Sequence, residues 1–243
     1  ISSAATSAAT AAASGGKVDL LVATTRSATG ATPGEMFTGE RARGLAFADI
    51  AISIPPEGAR QVGEVQWPSQ LPANPATDFA TIRAERLDGD QALRLFNAKL
   101  AASPRRSVLL FVHGYNTRFE EAVYRFAQIV HDSKADATPV LFTWPSRGKL
   151  LAYDYDRESA SYSRDALEAA LQAMAKHPRV AEINILAHSM GNWVTLEALR
   201  QMAIRDKAIA GKIKNVMLAA PDVDFDVFRR QIATMGEKRP NFT

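Results

Sequence analysis

The segment Val180–Leu199 constrains this chain more than any other. An apolar run from Ile183 to Ala187 meets His188-Ser189-Met190-Gly191-Asn192 and passes into the helix-compatible stretch Trp193–Leu199. A short buried strand that breaks at a turn of small residues and re-emerges as a helix is the setting of a nucleophile elbow, with the pattern G-x-S-x-G. Here the pentapeptide is Ala187-His188-Ser189-Met190-Gly191, alanine being the smallest departure from glycine at the first position. Both end residues must be small because so tight a turn brings them against the neighbouring strand and helix. The turn lifts the Ser189 hydroxyl out of the sheet and leaves the Met190 N–H, at a helix N-terminus, facing the same space. Pentapeptides of this kind also arise by chance, so the rest of the chain decides what this one is worth.

Its surroundings read as alternating strands and helices. Val18–Arg26, Leu45–Pro56, Val62–Trp67 and Phe79–Leu87 are β-leaning runs separated by Gly, Pro, Asn and Asp, read as an early, partly antiparallel side of a sheet. Asp88-Gly89-Asp90 caps a helix carrying Leu93, Leu95, Phe96 and Leu100. From Ser107 the pattern becomes strand, turn, helix. Val108–Val112 is an apolar strand, Thr117–Glu120 has the form of a capping box, and Ala122, Val123, Phe126, Ile129 and Val130 mark a helix face. Val140–Phe142 is followed by a helix from about Arg157 to Lys176, Ile213–Ala219 follows the elbow unit, and Phe225–Met235 is a last helix. This alternation implies an α/β fold: a mostly parallel sheet covered by helices on both faces, with ligands bound beyond the carboxyl ends of the strands. Four loops converge there: His113–Asn116, Trp144–Ser146, His188–Gly191 and Pro221–Asp224.

Composition narrows the classes. A chain of 243 residues, 47% of them hydrophobic, can bury one sizeable core. We expect a single domain over residues 17–243, preceded by a flexible tether over the Ala/Ser/Thr-rich residues 1–16. Such a tether, in a chain that begins with Ile, suggests an exported protein or one lipid-anchored in the cell envelope. The 29 basic and 26 acidic residues form no basic stripe, so no nucleic-acid partner is expected. No apolar run reaches the length of a membrane span. The chain has no cysteine, which removes disulfides, thiolate metal sites and cysteine nucleophiles. No metal-ligand spacing and no nucleotide-binding glycine loop is present, so neither a metal nor a cofactor is expected.

Taken in order, His113-Gly114-Tyr115-Asn116, Phe142–Ser146, Ala187–Gly191 and Ala220-Pro221-Asp222-Val223-Asp224 resemble an α/β hydrolase. More narrowly, they resemble a bacterial esterase/lipase-like family long catalogued as a domain of unknown function. The likeness runs from about Val18 to Met235 and implies a Ser-acid-His hydrolase of carboxylic esters, acting on a small-molecule or lipid-like ester. Acyl transfer or thioester cleavage on the same machinery is an alternative. A non-catalytic binding module that keeps the fold is another.

On that reading Ser189 attacks the carbonyl and Met190 N–H is one oxyanion donor. Gly114 lets the chain turn so that Tyr115 N–H is the second. Asp222 is preferred over Asp224 as the acid, since Asp224 can instead cap the final helix. His113 and Trp144 are candidate substrate-binding residues, although His113 can equally brace its loop and Trp144 can equally pack in the core. Tyr153, Asp154 and Arg157 are either a gate or a solvated loop before a helix. None of the four histidines is well placed to be the base: His131 and His177 belong at the bottom of the sheet, His188 points off the elbow, and none follows His188. In α/β hydrolases the histidine follows the acid in the chain, yet only 19 residues follow Asp224. The expectation is therefore an α/β-hydrolase domain lacking its C-terminal strands and its histidine. Its exposed edge would be open to self-association or to a partner segment.

Overall fold

The computed structural model describes residues 15–29 and 36–243. The expected tether therefore lies mostly outside the described residues. Its last two residues already join the sheet: Gly15 N–H donates to Ile54 O at 2.7 Å, and Gly16 opens the first strand.

The strands are β1 (Gly16–Ala28), β2 (Phe37–Ile54), β3 (Ala80–Leu87), β4 (Ser107–Val112), β5 (Thr138–Thr143), β6 (Glu182–His188), β7 (Ile213–Ala219) and β8 (Asn241–Phe242). They form one eight-stranded sheet in the order β3-β2-β1-β5-β4-β6-β7-β8. β2 runs antiparallel to both β1 and β3, while every pairing from β1 through β5, β4, β6 and β7 to β8 is parallel. The helices are α1 (Gly89–Ala102), α2 (Phe119–Ser133), α3 (Tyr153–Lys176), α4 (Gly191–Asp206) and α5 (Phe225–Met235).

Strand alternation divides the core in two. Leu110, Val112, Phe142, Ile185 and Ala187 point to one face, where residues of α1, α3, α4 and α5 cover them. Leu20, Val22, Ile50, Ile52, Leu109, Phe111 and Leu141 point to the other, against Phe119, Val123 and Phe126 of α2. Parallel strands are ordinarily covered on both faces, and the fully buried run Ser107–Val112 at the centre follows that rule. On the α2 side, however, α2 packs on β1, β2 and β5, and Leu186 of β6 and Met217 of β7 remain half-buried.

Caps set the helix starts. At α1 the Asp88 carboxylate accepts from Gln91 N–H and the Gln91 side chain accepts from Asp88 N–H, both at 2.8 Å. At α5 the Asp224 carboxylate accepts from the N–H groups of Asp226 and Val227 at 2.9 and 3.1 Å.

Four sequence expectations shift. Val62–Trp67 is a loop, because β3 takes the place beside β2 and leaves this run no strand to pair with. Side chains hold it on α2 instead: Asp132 accepts from Arg60 at 2.6 Å and from Gly63 N–H at 2.8 Å. Thr117 does not cap α2. Its hydroxyl donates to Tyr115 O, and Glu121 accepts from Arg118 N–H at 2.7 Å one residue later. α3 starts at Tyr153 rather than near Arg157. Finally, the tail after Met235 does add a strand: Asn241–Phe242 pairs with Asn215–Val216 of β7, too short a run to show a period.

Phe126 is fully buried and stacks on Phe111 with ring centroids 5.3 Å apart. Phe126→Ala is expected to destabilise the fold by about 3–5 kcal/mol. Asp88→Ala, which removes only a cap, should lower stability by about 1 kcal/mol. Denaturant titration of both variants checks the difference.

Candidate active site

The site is built where β6 turns into α4. Ser189 occupies that turn with φ +51°, a left-handed conformation that a non-glycine residue holds only when its surroundings enforce it. They do so through four hydrogen bonds. Ser189 N–H donates to Ala219 O at 2.9 Å, and Ser189 O accepts from Asn192 N–H at 3.0 Å, Asn192 Nδ2 at 2.8 Å and Asp222 N–H at 3.3 Å. Asn192, fully buried, also donates to Ala219 O at 3.0 Å and so ties the turn to the end of β7. Sequence reasoning passed over Asn192. The signal was a polar residue directly after the elbow glycine, on a helix otherwise rich in apolar residues.

Glycines let the neighbouring loop come close. A Cβ on Gly191 would lie 2.4 Å from His113 O and 2.5 Å from Val112 O, so no side chain fits there. A Cβ on Gly114 would lie 2.9 Å from Ser189 Cβ and 2.8 Å from His188 Nδ1. The β4–α2 loop thus touches the elbow. Among the described residues, neither Tyr115 N–H nor Met190 N–H donates to a protein acceptor.

The side chains of His113 and Trp144 are buried. Trp144 is fully buried, its indole N–H donates to His113 O at 2.9 Å, and its ring stacks on the imidazole at 4.9 Å. Around His113 Nε2, Trp144 N–H at 3.1 Å can only donate, so this nitrogen is the acceptor. Nδ1 therefore carries the proton and donates to Gly114 O at 2.8 Å. Thr143 hydroxyl, which accepts from Arg26 Nε at 2.8 Å, donates to Nε2 at 2.9 Å. Both ring nitrogens are engaged within the protein, the bracing and packing roles that the sequence also offered for His113 and Trp144. They brace the loop. Burial, with the charge of Arg26 adding to it, pushes the His113 pKa from its ordinary 6.5 down to about 3.

The other three histidines occupy different settings. The His131 ring lies against Gly16, at the opposite end of the sheet. His177 closes α3 and bonds Asn97 at 2.8 Å. His188 turns to the α2 side, into a cavity of about 650 Å³ that Phe111, Gly114, Arg125 and Leu186 also line. Burial foremost, and then Arg125, lower its pKa.

Asp222 and Asp224 differ in their engagements. Asp224 caps α5, whereas the exposed Asp222 carboxylate accepts the Tyr153 hydroxyl at 2.9 Å while its N–H reaches Ser189 O. Tyr153 in turn meets the Tyr115 ring edge-on at 5.1 Å. Its hydroxyl pKa is raised, first by burial and then by the Asp222 carboxylate. Among the described residues no group of three or more His, Asp or Glu side chains is placed to hold a metal ion. No described helix is long and apolar enough to cross a membrane.

Residues 89–243 match the family described as alpha/beta hydrolase of unknown function (DUF900). The chain belongs to this family. Membership agrees with the mostly parallel sheet and marks the chain as an α/β hydrolase, leaving its substrate open. A curated relative, an uncharacterized protein of Nostoc sp., is 26% identical over 167 residues, covering 57% of this chain and 44% of the relative. The chain therefore spans less than half of that protein's length. No solved structure matches.

Because folded His113 stays unprotonated while the unfolded chain takes up a proton, its contribution to stability is complete above about pH 6.5 and is lost as pH falls toward 3. His113→Gln should be less stable than the parent at pH 7. Between pH 7 and pH 4.5 it should lose less stability than the parent, by on the order of 2 kcal/mol. Urea titrations at the two pH values measure this; equal losses in both proteins would rule out the locked neutral imidazole.

Proposed function

We propose that this α/β hydrolase cleaves carboxylic esters through Ser189, with the backbone N–H groups of Tyr115 and Met190 as its oxyanion hole and Asp222 as the acid. The observation that carries the reading is the left-handed Ser189 at the strand-to-helix turn, with Gly114 and Gly191 in contact across it. Such a turn presents a serine hydroxyl at the carboxyl end of the sheet. The locked His113 supports the second donor. It draws the Gly114 carbonyl to Nδ1, and across a trans peptide the N–H of Tyr115 points the opposite way.

In the proposed reaction Ser189 Oγ attacks the ester carbonyl, the two N–H groups hold the charge that develops on its oxygen, and the alkoxide leaves. Water then releases the acyl group from Ser189. Asp222 would orient and charge-stabilise an imidazole, which requires that imidazole to take the place the Tyr153 hydroxyl now holds. Asp222 accepts from the Tyr153 hydroxyl and from none of the four histidines, so the reading names no base, and the Ser189 proton ends on the departing alcohol.

Turnover of a short-chain activated ester tests this in the protein and in its Ser189→Ala and Asp222→Asn variants. The protein should turn over the ester, Ser189→Ala should lose up to about 10⁶ in kcat, and Asp222→Asn should lose about 10²–10⁴. Turnover that survives Ser189→Ala would overturn the serine mechanism, and inertness of every form would favour a binding module.

A further inference from the structure

Two charged side chains with no role in the reaction above are sealed under the β4–α2 loop. Arg26, at the end of β1, is 1% exposed, and Asp156, in the first turn of α3, is 0% exposed. Among the described residues neither has an ion-pair partner in contact. Arg26 instead donates four hydrogen bonds to oxygens of neighbouring segments. Nε donates to Thr143 Oγ1 at 2.8 Å, Nη1 to Ser146 O at 2.8 Å and Thr38 O at 3.1 Å, and Nη2 to Thr117 O at 2.8 Å. Asp156 gathers donors: Asn116 N–H at 3.1 Å, Ser146 Oγ at 2.5 Å and Arg147 N–H at 2.9 Å. Ser146 links the two, its carbonyl on Arg26 and its hydroxyl on Asp156. Burial lowers the Arg26 pKa to about 10, and Asp156 is the leading charge opposing that shift, so Arg26 stays cationic.

In the β4–α2 loop these bonds reach Asn116 and Thr117. Thr117 O lies on Arg26 and Thr117 N–H on Ser146 Oγ at 2.9 Å. Asn116 N–H lies on Asp156, holding Asn116 at φ +55°, and Tyr115 O accepts the Thr117 hydroxyl at 3.1 Å. Gly114 O is on His113. From Gly114 O to Thr117 O, each of these groups is turned inward, and Tyr115 N–H is left outside the set. A loop this short, with a non-glycine residue at positive φ, does not keep such a shape alone. Buried charges are costly, so their retention here needs hydrogen bonds of this number and quality.

We propose that Asp156 and Arg26 are positioning residues for the oxyanion hole, clamping the β4–α2 loop from behind so that Tyr115 N–H faces the substrate carbonyl. The inference rests on the reading of Tyr115 as an oxyanion donor. It places two chain-distant charges in the service of a backbone donor that neither touches. Arg26 does so with a planar fork, which a lysine ammonium cannot replace.

The test uses the protein with Asp156→Asn and with Arg26→Lys, each variant first shown by circular dichroism to be folded at the assay temperature. Fluorophosphonate labelling of Ser189 is followed with time, and kcat and KM are compared for an oxoester and for the thionoester of the same alcohol. Thiocarbonyl sulfur is a poor hydrogen-bond acceptor, so a thionoester draws less from the oxyanion hole, and a loss confined to that hole lowers the oxoester-to-thionoester ratio of kcat/KM. A general loosening of the fold would lower both substrates alike. Asp156→Asn should slow labelling and oxoester kcat by about 10²–10³, leave KM within about threefold, and lower the ratio at least tenfold, on the order of losing one oxyanion donor. Arg26→Lys should move the same quantities in the same direction. If Asp156→Asn does not fold, Ser146→Ala, which removes the hydroxyl shared by Thr117 N–H and Asp156, carries the same expectation. Folded variants with parental labelling rates, or with an unchanged ratio, would overturn the clamp. A parent whose Ser189 never labels would overturn the serine-hydrolase reading itself, so the two failures are distinct.

Discussion

Everything at the carboxyl end of this sheet depends on how closely the elbow approaches the end of β4. Val112 stands beside Ala187 in the parallel register, so the chains leaving β4 and β6 emerge side by side. Gly191 then passes His113 O and Val112 O at a separation that excludes even a methyl group. A left-handed serine carries a local conformational penalty of about 1–2 kcal/mol. The hydrogen bonds from Ala219, Asn192 and Asp222 offset it and draw β7 and its following loop to the same point. The strained residue and the close backbone contact are one arrangement: relaxing Ser189 would swing Gly191 away from the end of β4.

Behind this point the protein is closed and densely hydrogen-bonded; in front of it the protein is open. His113, Trp144, Arg26 and Asp156 lie inside, and each polar atom argued above has a partner. Asp222 lies outside, in solvent, held by one tyrosine hydroxyl and its own backbone. An immobile backbone donor costs no reorganisation when charge develops, whereas an acid that receives an incoming imidazole must be free to exchange partners. The division between a fixed rear and an exchangeable front suits those two roles.

The polarity of the sheet accounts for the histidines. α2 and α3 start at the carboxyl ends of their preceding strands and run back toward the amino ends, so His131 and His177, in or just after their last turns, are carried to the far side. His188 is one residue from Ser189, yet strand alternation sends it to the face opposite Ala187.

Periodicity alone determined the parallel part of the fold, because an apolar strand followed by an amphipathic helix has one way to bury both. Ile213–Ala219 and Phe225–Met235 lie where the pattern puts them. The elbow was legible for a related reason, since a small residue on each side of a serine between strand and helix is a local steric requirement. The run Val62–Trp67 misled because β propensity does not say whether a neighbour is free to pair, and β8 was hidden because two residues have no period. Which polar residues would be buried was a tertiary decision. Arg26 ends an ordinary strand and Asp156 sits in a Tyr/Asp-rich stretch, and 130 positions separate them in the chain. Only when β1, β5 and α3 pack together do both charges meet the same serine, because a buried ion needs donors and acceptors that distant segments supply at once.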